Sequence, residues 1–257
     1  KRFRGKRPME PIYALQDARE CLTQANSVAY DQEFSPHATV RCRFRDAGHI
    51  LGSAIIEVWV TEHGRATKLV FSGDLGQPGR PILRDPTLIE ETDILVVEST
   101  YGDRRHLDLA ATEDEMIAIV EKTLYERGGN VIMPAFAVGR TQQVIYLLHR
   151  LACEGRLRPP KVFVDSPMAT EATRITREHL ELFDEEARRL AGWQAQGKDI
   201  PYLRFTASVE ESMALNRIRS GAIVISASGM CDAGRIRHHL RHNLPRKACS
   251  VLMPGFQ

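Results

Sequence analysis

From about residue 110 the chain settles into a strict alternation of short apolar runs and amphipathic stretches, and this limits its fold more than any other feature. Residues 130–136, 161–165, 202–206, 222–226 and 248–253 read as strands. A helix opening at Thr112, with Glu115 three residues on as a capping box, runs to about Arg127. Another follows Gly139 and carries Val144, Leu147, Leu148 and Leu151 on one face. Helical sequence spans 169–190, Ser208 with Glu211 caps a further helix, and 234–243 is the last. Short connections between alternating strands and helices require a mainly parallel sheet with helices on both faces.

The first part has a different grammar. Residues 17–22 read as a short helix. Val40, Cys42 and Phe44 alternate with Arg41, Arg43 and Arg45, the period of a half-buried strand. Residues 54–61 and 67–71 are strands joined by a turn at 62–65, an antiparallel hairpin. Residues 94–98 form a continuous apolar strand ending in an acid, Glu98. No internal repeat or low-complexity tract is present.

The 257 residues suit one large domain or two medium ones, and the formal net charge of +2 does not by itself point to nucleic acid. Charge distribution is more informative. Lys1, Arg2, Arg4, Lys6 and Arg7 crowd the start, and Arg235, Arg237, Arg241, Arg246 and Lys247 crowd the last quarter with His238, His239 and His242. Such clusters are either solvated surface or a track for a phosphate backbone. Cys21, Cys42, Cys153, Cys231 and Cys249 are widely spaced with no Cys-x-x-Cys, which fits reduced thiols in the cytoplasm rather than a disulfide framework or zinc ribbon. No apolar run approaches the ~20 residues needed to cross a bilayer, so no membrane partner is expected.

Two glycine-flanked turns carry metal-competent side chains beside strands. His49 lies in Asp46-Ala47-Gly48-His49-Ile50-Leu51-Gly52-Ser53, and Asp74 lies in Phe71-Ser72-Gly73-Asp74-Leu75-Gly76. Either could be a plain turn residue, but with Glu98 they place three ionisable groups at successive strand ends. Zinc takes four or more ligands, so further donors must come from elsewhere. His238 and His242 share a helix face, but that helix lacks the Glu of a His-Glu-x-x-His motif and is flanked by arginines that would repel a cation. It reads as a basic helix. The loops holding Arg140 and Arg235 each run from a strand into a helix and offer phosphate-binding geometry, though neither matches Gly-x-Gly-x-x-Gly or a P-loop.

In order along the chain, residues 46–54, Phe71-Ser72-Gly73-Asp74 and Val97-Glu98-Ser99-Thr100-Tyr101-Gly102 resemble the metallo-β-lactamase fold in its β-CASP nuclease branch. Residues 134–142, Asp165-Ser166-Pro167-Met168-Ala169, Ser228-Gly229-Met230 and Gly234-Arg235 resemble successive blocks of the β-CASP domain. That branch includes the mRNA 3′-end-processing endonuclease subunit and its bacterial and archaeal homologues. The resemblance implies an α/β protein. Residues 1–107 would be part of an incomplete metallo-β-lactamase αββα sandwich, and 108–257 a doubly wound β-CASP cap. It implies that His49 and Asp74 hold metal, with Asp74 bridging two zinc ions, and that Glu98 orients a histidine that protonates the leaving group. Arg140, Ser166, Ser228, Gly229 and Arg235 would line the RNA cleft, with Arg140 and Arg235 on phosphates. The family's His-x-His-x-Asp-His motif and its C-terminal histidines do not occur, which reads as a central piece of a longer enzyme that is inactive alone.

The expected parent activity is zinc-dependent hydrolysis of RNA phosphodiester bonds, with RNA as partner and a homodimer or larger homo-oligomer as an open expectation. The main alternative is a catalytically inactive RNA-binding homologue acting as a scaffold in RNA processing. A hydrolase of small esters or thioesters is disfavoured by a cap built to cover a polymer. Endonucleolytic and 5′-exonucleolytic action, and RNA and DNA, are not separated at this level.

Overall fold

Residues 11–105, 108–195 and 200–255 are described by the structure, a computed structural model. The N-terminal basic cluster Lys1–Arg7 lies outside the described residues. After helix α1 (Leu15–Leu22) comes a five-stranded sheet: β1 (Glu33–His37), β2 (Val40–Asp46), β3 (Ala54–Glu62), β4 (Arg65–Phe71) and β5 (Ile94–Val96), in that spatial order. β1 to β4 pair antiparallel, as the alternation of 40–71 requires, and β5 joins β4 in parallel. β1 is not legible in the sequence. It contains Pro36 and lacks alternation, features an edge strand tolerates because one side needs no ladder bonds.

The arginines of β2 do not simply face solvent. The register sets Arg41 opposite Trp59 and Arg43 opposite Glu57, with Lys68 on the far side of Trp59. Glu57 is buried and accepts from Arg43 Nε at 2.7 Å, with Lys68 Nζ also at 2.7 Å. Burial would raise the Glu57 carboxyl, but those hydrogen bonds hold it below the usual carboxylate range. The Arg41 guanidinium lies 4.5 Å from the Trp59 ring centroid, a cation–π contact.

The apolar run at 94–98 reads as a buried strand, and here the structure differs. β5 is an edge with β4 as its one neighbour, and Ile94, Leu95, Val96 and Val97 are 49, 56, 52 and 54% exposed. Composition alone cannot separate a central strand from an uncovered apolar edge.

The second sheet is built from β6 (Val131–Pro134), β7 (Lys161–Val164), β8 (Leu203–Phe205), β9 (Ala222–Ser226) and β10 (Ser250–Val251), ordered β10-β6-β9-β7-β8. Every neighbouring pair is parallel. Helices α2 (Leu109–Glu121), α3 (Arg140–Cys153), α4 (Pro167–Glu178), α5 (Glu185–Ala195), α6 (Val209–Leu215) and α7 (Ile236–Asn243) connect them. The pleat divides the core. Val131, Met133, Ile223 and Ile225 pack with Met116 and Val120 of α2 and Leu148 and Leu151 of α3. Ile132 and Val224 pack on the other side with Leu215 of α6 and Ile236 of α7. Helices therefore cover both faces, as the alternation demands.

Two helix expectations need correction. α2 is capped by Asp108, whose Oδ1 accepts from Ala111 N–H at 3.0 Å, and Thr112 lies inside the first turn. The helical stretch at 169–190 is two helices separated by a 3₁₀ turn at Leu180–Leu182. The break follows from Asp184. Its Oδ1 accepts from Ala187 N–H at 2.7 Å, starting α5, while its Oδ2 accepts from Ile82 N–H at 2.9 Å. Ile82, Phe183 and Ala187 share a small core, so this capped corner ties the two parts together.

The glycine turns at the end of the first sheet press directly on one another. Gly76 N–H donates to Ala47 O at 2.8 Å, and a Cβ on Gly76 would stand 2.0 Å from Gly48 O. Gly52, by contrast, has φ +85° and open space around it. Gly52→Ala should therefore lose ~1–2 kcal/mol from its left-handed backbone alone. Gly76→Ala should lose ~3 kcal/mol or more through overpacking. Chemical denaturation of both variants checks the order, and equal losses would contradict the packing described.

Candidate active site

The site begins at the ends of β2 and β4. Asp46 Oδ1 accepts from Gly48 N–H at 2.9 Å, closing the first turn. Ser53 Oγ then accepts from His49 N–H at 3.1 Å and Ile50 N–H at 3.2 Å, so one hydroxyl fixes the backbone that carries the imidazole. In the second turn, the buried Ser72 hydroxyl donates to Gly73 O at 2.6 Å and accepts from Glu98 N–H at 3.0 Å. Glu98 reaches back, its Oε1 accepting from Leu75 N–H at 2.9 Å. Asp74 is thus held from both sides of its own backbone while its side chain stays exposed.

These clamps bring His49 Nε2 to 3.9 Å from Asp74 Oδ2. Both side chains are accessible, at 41 and 78%. Two ligands of one tetrahedral zinc, each at ~2.0–2.2 Å, stand ~3.4 Å apart. At 3.9 Å the pair stands ~0.5 Å wider than one edge of that coordination shell, so a small movement of either exposed side chain would bring both onto one ion. The pair does not complete a shell: among the described residues no group of three or more His, Cys, Asp or Glu side chains could hold an ion.

The carboxylate of Glu98 accepts from the backbone N–H groups of Leu75 and Thr100. Leu75 N–H is the main reason its pKa lies below the usual carboxylate value, aided by Thr100 and by the charge of nearby His49. Glu98 therefore stays ionised and positions the Asp74 turn.

The second sheet meets this site through the loop before α3. A Cβ on Gly139, whose φ is +81°, would stand 2.5 Å from Ile50 Cγ2, so Gly139 lies directly against the residue that follows His49. Arg140 comes next. Although part of its surface is open, its guanidinium is crowded by protein and sits beside Arg80, and both effects lower its pKa. No side-chain hydrogen bond or ion pair to Arg140 is present among the described residues. Arg80 donates to Gln77 Oε1 at 2.7 Å.

The other cleft candidates are differently employed. Ser166 is buried and caps α4, its Oγ accepting from Ala169 N–H at 3.2 Å. Ser228 Oγ donates to Asp232 Oδ1 at 2.6 Å and accepts from Met230 N–H at 3.2 Å, which shapes the loop after β9. Gly229 packs against the Phe136 ring. Arg235 Nη1 donates to Asp165 Oδ1 at 2.7 Å.

Asp165 is the residue that sequence reading left unassigned. It is fully buried at the end of β7 and gathers Arg235, the Thr206 hydroxyl, the Ser212 hydroxyl at 2.6 Å and His239 Nε2 at 2.6 Å. His239 in turn meets Asn216 Oδ1 through Nδ1 at 3.1 Å. His239 is therefore a core residue, while Arg237, His238, Arg241 and His242 lie on the exposed side of α7. The signal was available: an acid directly after Val162-Phe163-Val164 ends a buried strand, where a carboxylate needs partners.

Residues 141–257 match the Beta-Casp domain. The chain is 35% identical over 252 residues to Ribonuclease TTHA0252 of Thermus thermophilus, an alignment taking in 96% of this chain and 56% of that protein. It is 27% identical over 248 residues to an RNase J-like protein of Methanocaldococcus jannaschii, covering 95% of this chain and 56% of the relative. It is 26% identical over 260 residues to the transcription termination factor FttA of the same organism, covering 98% and 40%. Residues 141–257 belong to the Beta-Casp family, and the two sheets with flanking helices have the β-CASP form of the metallo-β-lactamase fold. It spans about half the length of these curated relatives.

Burial opposes the Asp165 charge, but hydrogen bonds from His239, Ser212, Thr206 and Arg235 hold its pKa well below the usual carboxylate range. A depressed folded-state pKa adds stability that is complete above the unfolded value of ~3.9 and is lost as pH falls through the folded one. Asp165→Asn should cost ~3–5 kcal/mol at neutral pH by leaving Arg235 without its buried partner. Below pH ~4 the wild-type stability should fall toward that of the variant. Urea titrations at several pH values test this, and parallel curves would contradict it.

Proposed function

We propose that this chain forms part of a zinc-dependent ribonuclease, with residues 1–107 contributing to the metal-holding domain and 108–257 forming the cap. The observation that carries the reading is the convergence of His49 and Asp74, 3.9 Å apart, beside a loop that leads into Arg140. That relatives are named ribonucleases supports RNA as the substrate, and an active centre with two zinc ions would draw further donors from outside the described residues.

Zinc, when bound, supplies Lewis acidity toward a phosphoryl oxygen and toward the attacking water. The rest is done by this chain's own groups. His49 and Asp74 hold the ion. Glu98 keeps the Asp74 turn rigid through Leu75 N–H. Arg140, with Arg80 beside it, draws a phosphate against the site and offsets charge that grows as phosphorus is attacked. Arg235 acts through Asp165, shaping the loop after β9, with the capacity to reach a phosphate only through its remaining donors. The five cysteines are all free, and no helix among the described residues is long and apolar enough to cross a membrane. We place the protein in the cytoplasm on the first of these, with assembly as a homo-oligomer part of the same proposal.

The second reading, an inactive RNA-binding scaffold, is favoured by one observation: two donors and no third among the described residues. Asp74→Ala separates the two. In the natural full-length protein it should abolish cleavage of a labelled RNA, lower bound zinc measured by mass spectrometry, and leave circular dichroism unchanged. Wild-type protein that binds RNA without cutting it would establish the scaffold instead. Arg140→Ala should weaken RNA binding and reduce the slope of log K against log salt by about one phosphate contact. An unchanged slope would remove Arg140 from the cleft.

A further inference from the structure

The loop between β6 and α3 turns an aromatic side chain outward where a buried one is expected. Ala135 and Ala137 are buried at 1 and 8% exposure, but Phe136 between them is 49% exposed. The backbone at this point is fixed. Ala135 N–H donates to Ser226 O at 3.0 Å, and Phe136 O accepts both Thr141 N–H at 3.2 Å and the Thr141 hydroxyl at 2.7 Å. The ring rests on Gly229: a Cβ there would lie 3.0 and 3.1 Å from Phe136 Cδ2 and Cε2. A side chain at 229 would press on the ring, so glycine lets the loop after β9 back it this closely. Met230, the next residue, is itself 48% exposed.

The charges around this ring indicate its occupant. Arg140 follows four residues later and has no acidic partner among the described residues, Arg80 lies beside it, and Gly139 touches the His49 loop. A protein docking on an apolar patch gains little from unpaired cations at its rim. A single-stranded polynucleotide carries phosphates for the arginines and a flat base for the ring, and such stacking is sequence-tolerant.

We propose that Phe136 is a base-stacking platform that positions one unpaired nucleobase beside the phosphate held at Arg140. This rests on the RNA reading above and adds to it a preference for single-stranded RNA and a positioning residue. Gly229 is then required because it supports the ring, not because it contacts substrate.

The test measures anisotropy of a short fluorescent oligoadenylate, and of an abasic oligomer with the same number of phosphates, on the natural full-length protein with EDTA present. Phe136→Ala should weaken oligoadenylate binding ~10-fold, the loss of one stacked base, while leaving abasic binding unchanged. Phe136→Tyr should restore it. Equal losses on both probes would mean the ring only supports the loop, and would overturn the inference. No loss on either probe would do the same, including the case where Phe136→Ala instead disrupts self-association in sedimentation. Wild-type protein that binds neither probe overturns the RNA reading itself and this inference with it.

Discussion

Everything at the candidate site depends on two backbone turns occupying nearly the same space. Ala47 O receives the Gly76 amide at 2.8 Å, and Gly48 O stands where any Cβ on residue 76 would have to go. This approach is a steric constraint before it is an interaction, and it is satisfied only because residue 76 carries no side chain. Given it, the directions of the imidazole and the carboxylate follow. Ser53 fixes the backbone of the first turn, and Ser72 with Glu98 fixes the second. The site is rigid before any ion arrives, which is what metal coordination with defined geometry requires.

Two carboxylates at strand ends are handled in opposite ways. Glu98 ends an exposed edge strand and uses its charge locally, on backbone amides of the neighbouring turn. Asp165 ends a strand inside the cap and is wholly enclosed, surrounded by donors from β8 through α7. The first organises the candidate metal loop and the second organises the loops on the far side of the cleft. Arg235, a natural choice for a phosphate ligand, is drawn into the second of these tasks. Arg140, next to the Gly139 that lies against Ile50, has no ion-pair partner among the described residues.

Much of this was legible in the chain. The alternation after residue 110 specified a parallel sheet, and the 40–71 pattern specified the antiparallel one. The turns of His49 and Asp74 stood out because glycines bracket them. What escaped has physical reasons. β1 carries a proline and no period. Thr112 has the composition of a cap, yet Asp108, four residues earlier, performs the capping. The helix break at Leu180–Leu182 depends on Asp184 reaching Ile82, a contact 102 residues away that no local pattern encodes. His239 looks like its neighbours His238 and His242, and only helix phase and the position of Asp165 make it a core residue. Phe136 belongs to the same class: its type suggests burial, and tertiary packing on Gly229 turns it outward.

One ion shared by the His49 imidazole and the Asp74 carboxylate would make these two turns a metal centre. Anomalous diffraction at the zinc edge, on crystals of the full-length protein, addresses it directly. The expected result is a peak between Nε2 of His49 and Oδ2 of Asp74, ~2.0–2.2 Å from each. A zinc-loaded crystal whose anomalous peaks all lie elsewhere would contradict it.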